Sequence, residues 1–185
     1  MDGLLFDSER IVQRSWEIAG DELGIPHMGD VIYHTLGMNR AGRNEYFRKY
    51  IREDFPFEEF GKLTRDNFWK IVDKEGLPLK KGTKELLAYG KSQGYKMAVA
   101  TSSSREYAMG NLIRSGIDSH FDSVVCGDMV KKAKPDPEIY IYTMKKMGVE
   151  PKDCYVVEDS TFGLQAAESA GAVVICKRDD RFGYD

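Results

Sequence analysis

The texture of the chain changes near residue 77, and that change limits its possible folds more than any other feature. Residues 10–75 carry aromatic and charged residues at helical spacing. Trp16, Ile18 and Leu23 fall on one stripe, Tyr46, Phe47, Tyr50 and Ile51 on another, and Phe68, Trp69 and Val72 on a third. Gly24-Ile25-Pro26, Leu36-Gly37-Met38 and Asp54-Phe55-Pro56 interrupt these runs. The pattern predicts an all-helical unit of roughly four helices. Beyond residue 77, short apolar runs at 96–100, 123–126, 154–157 and 172–176 alternate with helical patterns at 83–93, 105–115, 137–147 and 162–170. Short apolar strands alternating with helices predict a parallel sheet covered on both faces.

A length of 185 residues suits one core with a modest inserted domain. The expected division is an α/β core, Rossmann-like, from residues 1–9 and 77–185, with 10–76 inserted as a helical cap. The charge balance, 27 Lys plus Arg against 30 Asp plus Glu, argues against nucleic acid, which requires a basic stripe. It still permits a small phosphorylated molecule, because a few local donors suffice for one. Cys126, Cys154 and Cys176 are widely spaced and lie in apolar runs, so they read as reduced thiols and not as metal ligands. His27, His34 and His120 show no metal spacing. No apolar run reaches membrane-spanning length and the start lacks a leader pattern, so a cytoplasmic monomer with no membrane partner is expected.

Ligands of open parallel sheets collect at the carboxyl ends of strands. Here those ends carry Thr101-Ser102, Gly127-Asp128 with Lys134 shortly after, and Glu158-Asp159. Hydroxyls and backbone N–H groups at a helix start donate to phosphate oxygens, a lysine neutralises them, and carboxylates suit Mg²⁺. Each piece also has a plain structural reading. Thr101–Ser104 and Glu158–Ser160 fit helix N-termini, and Lys134 fits a solvated loop charge.

Four segments in register resemble the haloacid dehalogenase superfamily. Asp2-Gly3-Leu4-Leu5-Phe6-Asp7-Ser8 resembles the tail of its first motif, Val99-Ala100-Thr101-Ser102-Ser103 its second, and Lys134-Pro135-Asp136-Pro137 its third. Val157-Glu158-Asp159-Ser160 with Gly163, Ala166, Ala167 and Ala170-Gly171 resembles the fourth, and the helical insert resembles the cap of the β-phosphoglucomutase-like branch. The resemblance implies a Mg²⁺-dependent phosphatase for small phosphorylated metabolites, with sugar phosphates as the expected substrates, that works through an aspartyl-phosphate. It makes Asp2 the general acid and base, with Lys134 the other catalytic residue. Thr101, the Ser102 backbone and Lys134 would hold the phosphoryl oxygens. Asp159, the Asp2 carbonyl and Glu158, directly or through water, would hold the metal. In the cap it places Asn39 and Arg40 against substrate, a guanidinium fork suiting a second phosphate or a carboxylate.

The motif's first aspartate, the attacking group, would stand directly before Met1. The expectation is that the natural molecule carries it together with its apolar strand, or that Met1 is an internal methionine taken as the start. Val12 stands where the mutases carry a histidine, which favours hydrolysis over the alternative of a sugar-phosphate mutase. Dehalogenation is disfavoured by an acid at Asp2. A phosphonatase would need a cap lysine, and Lys49 and Lys62 have no distinctive context. A catalytically silent binding module of the same fold is the alternative from another class.

Overall fold

The structure is a computed structural model, and it describes residues 1–35, 38 and 40–177. The chain divides into two compact units, one from residues 1–7 and 77–177 and one from residues 8–76.

The second unit is helical throughout its regular structure. It comprises α1 (Ser8–Glu22), α2 (Ile32–Thr35), α3 (Arg40–Tyr50) and α4 (Phe57–Glu75). The apolar stripe of α1 buries Ile11, Trp16 and Ala19, and that of α4 buries Phe60, Phe68, Ile71 and Val72. Trp16, Phe47, Phe55 and Phe60 sit in one cluster with Ile25, Met28 and Ile32. Gly20 lies where a Cβ would strike the Ile25 carbonyl and the Met28 side chain, so a larger residue there would force α1 off the following turn. Arg14 and Glu75 pair across α1 and α4 through two hydrogen bonds, at 2.6 and 2.9 Å.

The first unit contains α5 (Thr83–Ser92), β1 (Ala98–Thr101), α6 (Arg105–Arg114), β2 (Ser123–Cys126), α7 (Glu138–Met147), β3 (Tyr155–Glu158), α8 (Thr161–Ser169) and β4 (Val173–Cys176). β1 pairs with β2 and β3 with β4, both in parallel, so the described residues form two parallel ladders. Their facing helices close a core of Val125, Ile139, Tyr140, Met144, Val156, Ala166, Ala167 and Ala170. The small residues of α8 let that helix approach closely. β2 begins where its apolar run does, and β1, β3 and β4 begin one or two residues later; at β1 the backbone N–H of Met97 is taken by the Asp122 carboxylate at 2.8 Å. Coverage of both faces does not extend to β4, where Val173 and Ile175 are exposed. The opening segment joins this unit through Phe6, which is fully buried and bridges Leu79, and through Asp7 N–H donating to the Pro78 carbonyl at 2.9 Å.

Candidate active site

β1 ends at Thr101 and β3 at Glu158, so the expected rim is built from the last residues of strands and the first residues of α6 and α8. Each following helix starts with a serine cap. Ser104 accepts from the Tyr107 N–H at 3.4 Å, and Ser160 accepts from the Gly163 N–H at 3.1 Å. The capping reading of both segments is therefore correct. It coexists with a polar site, because the caps orient the residues just before them.

Lys134 and Glu158 form a buried ion pair at 2.5 Å. The Lys134 ammonium also donates to the Ala100 carbonyl at 3.3 Å and to the Tyr140 hydroxyl at 2.8 Å. Lys134 is thus no solvated loop charge. Glu158 Oε1 accepts from Lys134 and, at 3.0 Å, from the Tyr140 hydroxyl. Its Oε2 accepts from the N–H of Asp159 at 2.9 Å and from the N–H and hydroxyl of Ser160 at 3.0 Å. Burial opposes ionisation of Glu158. The charge and hydrogen bond of Lys134, with the Ser160 N–H, outweigh it and hold the carboxyl well below the usual range. Tyr140 is displaced the other way, raised first by burial and then by the Glu158 charge. Gly163 is required here, since a Cβ would overlap the Glu158 carboxyl.

Asp159 has a different balance. Burial first, and then the neighbouring Glu158 charge, push its carboxyl up to about 6. Asp2 accepts from the Ser103 hydroxyl at 2.9 Å and from the Tyr107 hydroxyl at 3.0 Å. The N–H of Ser103 donates to Thr101 Oγ1 at 3.2 Å, which ties Asp2 to the end of β1. Thr101 is buried and Ser102 exposed. The structure therefore gathers Asp2, Thr101, Ser102, Lys134, Glu158 and Asp159 on one rim. Arg40 opens α3 in the other unit, and its side chain and all of Asn39 lie outside the described residues. Val12 packs on the aromatic cluster of that unit.

The donor chemistry suits a hard cation at Asp159. A partly buried acid whose ionisation burial disfavours gains most from a counter-charge, and Mg²⁺ needs only one or two carboxylates with water and phosphate. Glu158 has both oxygens committed to protein donors, so its support would come through water or through Lys134. No set of three or more His, Cys, Asp or Glu side chains stands ready as a cage among the described residues.

The haloacid dehalogenase-like hydrolase model matches residues 1–177. The chain belongs to this family. It is 33% identical over 171 residues to the phosphorylated carbohydrates phosphatase of Thermotoga maritima, covering 92% of this chain and 79% of that one. The crystal structure of CbbY from Rhodobacter sphaeroides in complex with phosphate aligns with a TM-score of 0.76 and 25% identity, over 97% of this chain and 84% of that one. A β-phosphoglucomutase from Clostridium difficile shares the fold, with a TM-score of 0.72 over 95% of this chain and 80% of that one at 22% identity. Family and relatives support a phosphoric monoester hydrolase or mutase on a Rossmann-like core with a helical cap. No helix among the described residues is long and apolar enough to cross a membrane.

Sequence reasoning missed Tyr107 and Tyr140. Both lie in the first turn of a helix that follows a site segment, Tyr107 three residues after the cap of α6 and Tyr140 at the third position of α7. A first-turn tyrosine after a strand-end motif was the available signal.

Proposed function

We propose that the protein is a Mg²⁺-dependent phosphatase of small phosphorylated carbohydrates. The buried Lys134–Glu158 pair beside Asp159 and Asp2 is the observation that carries this reading. Lys134, Thr101 and the Ser102 backbone bind the phosphoryl oxygens, and Glu158 fixes the lysine from behind. Asp159 and the Asp2 carbonyl hold Mg²⁺, which offsets the charge of the transferring phosphoryl group when bound. The phosphoryl group passes to the aspartate that the family pattern sets two residues before Asp2, forming an aspartyl-phosphate. Asp2 protonates the leaving alcohol and then takes a proton from the attacking water. Asn39 and Arg40 are the cap residues proposed to meet the sugar. Val12, committed to an apolar cluster, favours hydrolysis over transfer to a second sugar. The phosphatase among the relatives supports the substrate class.

The test is phosphate release by the natural full-length protein from a panel of sugar phosphates, with Mg²⁺ and with chelator. The expected result is release that needs Mg²⁺ and is lost in Asp2→Asn and Lys134→Met. Absence of metal-dependent release across the panel would overturn the reading.

A further inference from the structure

Two hydroxyls from the strand-to-helix turn after β1 converge on one carboxyl. Tyr107 donates to Asp2 Oδ1 at 3.0 Å and Ser103 to Oδ2 at 2.9 Å. Their placement follows from local structure. The Tyr107 backbone N–H is taken by the Ser104 cap, which fixes the first turn of α6 and so the origin of the ring. The Ser103 N–H is held by Thr101 Oγ1, and its carbonyl accepts from the Gly127 N–H at 3.0 Å. Gly127 lies where a Cβ would strike the Ser102 backbone, so the turn is clamped from β2 as well.

We propose that Tyr107 and Ser103 are positioning residues that fix the plane of the Asp2 carboxyl for proton transfer. The inference rests on the reading of Asp2 as acid and base. A carboxyl held at one oxygen still rotates about its Cβ–Cγ bond. One donor on each oxygen stops that rotation. Each oxygen keeps a second lone pair, so the two donors leave room for the proton that Asp2 carries. In the step concerned, the Asp2 carboxylic acid gives its proton to the bridging ester oxygen as the phosphorus–oxygen bond breaks. The electron pair of that bond stays with the oxygen, the alcohol leaves neutral, and the phosphoryl group goes to the attacking carboxylate. Asp2, now a carboxylate, recovers a proton from the water that hydrolyses the acyl phosphate. The two hydroxyls exchange no proton in either direction. Their contribution is alignment, which general acid catalysis depends on.

The leaving group provides a readout that a purely structural role would not move. An alkoxide leaves poorly without a proton, whereas nitrophenolate leaves without one. Tyr107→Phe keeps the ring and removes only the donor. With full-length protein and Mg²⁺, it is expected to lower the single-turnover rate of alcohol release from glycerol phosphate about tenfold. The single-turnover release of nitrophenolate from nitrophenyl phosphate, which precedes the water step that both substrates share, is expected to stay within about twofold, with half-saturation unchanged on both. Ser103→Ala is expected to show the same split, and it carries the test should Tyr107→Phe fail to fold. Equal losses on both substrates, or no loss on either, would overturn the inference while Asp2→Asn shows the split. If Asp2→Asn itself shows no split, the acid–base reading of Asp2 fails first and this inference falls with it.

Discussion

The two compact units hold their side chains in opposite ways. In residues 8–76 the decisive contacts are between rings. Phe47 meets Trp16, Phe55, Phe57 and Phe60 with centroids 4.8 to 6.4 Å apart. In the α/β unit they are directional, with five donors converging on Glu158 and two on Asp2. Ring packing is governed first by volume and accepts a replacement of similar size at modest cost. A filled donor set accepts none, because every lone pair left unmet in a buried place costs the full desolvation of that group. Damage to the ring cluster should therefore register as lost stability, and damage to the donor set as lost stability and lost chemistry together.

The largest effect is expected at Lys134. Lys134→Met would leave the Glu158 charge buried at 7% exposure with no counter-charge. Such a loss costs about 3–5 kcal/mol, read by urea unfolding. Phosphate release should fall at least about a hundredfold, since the cation that meets the phosphoryl oxygens is gone. Adding Glu158→Gln should restore most of the stability and none of the activity. If the single variant unfolds within about 1 kcal/mol of wild type, the pair is not the organising contact of the rim. Phe47→Ala is the counterpart in the other unit. Truncating a ring at 2% exposure should cost about 3–5 kcal/mol, and Phe47→Leu less than about 1.5. Equal costs for the two would show that ring shape, and not volume, holds the cluster.

How much of this was legible in the sequence also differs between the units. Helical periodicity placed the aromatic stripes, because burial of one face is a local property of a helix. Strand ends were readable to within one or two residues, so Thr101, Lys134, Glu158 and Asp159 fell on one rim. What the sequence did not disclose was partnership. Nothing in the spacing of Lys134 and Glu158 states that 24 residues of chain return the two to hydrogen-bond distance. Neither the Tyr140 hydroxyl nor the Tyr107 hydroxyl has a spacing that states its partner. Long-range side-chain geometry depends on how helices dock on strands, and periodicity carries no record of that.

A smaller effect is expected at Gly163, where an added methyl would press on the whole Glu158 carboxyl group. Gly163→Ala should destabilise by about 1–3 kcal/mol. It should also weaken the acid limb of stability. Glu158 is held below its ordinary value, so its contribution is complete above the unfolded pKa of about 4.3 and is lost as pH falls towards about 2. Asp159 acts with the opposite sign. Its carboxyl is pushed up to about 6, so the protonated form favours the fold, and that contribution is lost as pH rises through about 6. Urea unfolding across pH 2–7 should show both limbs in wild type. Lys134→Met should flatten the lower limb. An unchanged lower limb in that variant would assign the acid sensitivity to another carboxyl.

The smallest effect tests whether directionality in the α/β unit is confined to the rim. Asn111 lies on α6 at 0% exposure, next to Leu112, which is equally buried. Neither its Oδ1 nor its Nδ2 meets a hydrogen-bond partner among the described residues. A carboxamide left unmet in a core costs about 1–3 kcal/mol, and leucine has nearly the same shape without that cost. Asn111→Leu should therefore raise stability by about 1 kcal/mol, seen as a Tm higher by a few degrees, with phosphate release unchanged. A rise would mark this part of the unit as ordinary packing that tolerates replacement, like the ring cluster. A fall would mean that the carboxamide is satisfied, most simply by an internal water, and the directional network would then reach from Asp2 and Tyr107 at the start of α6 to its last turn.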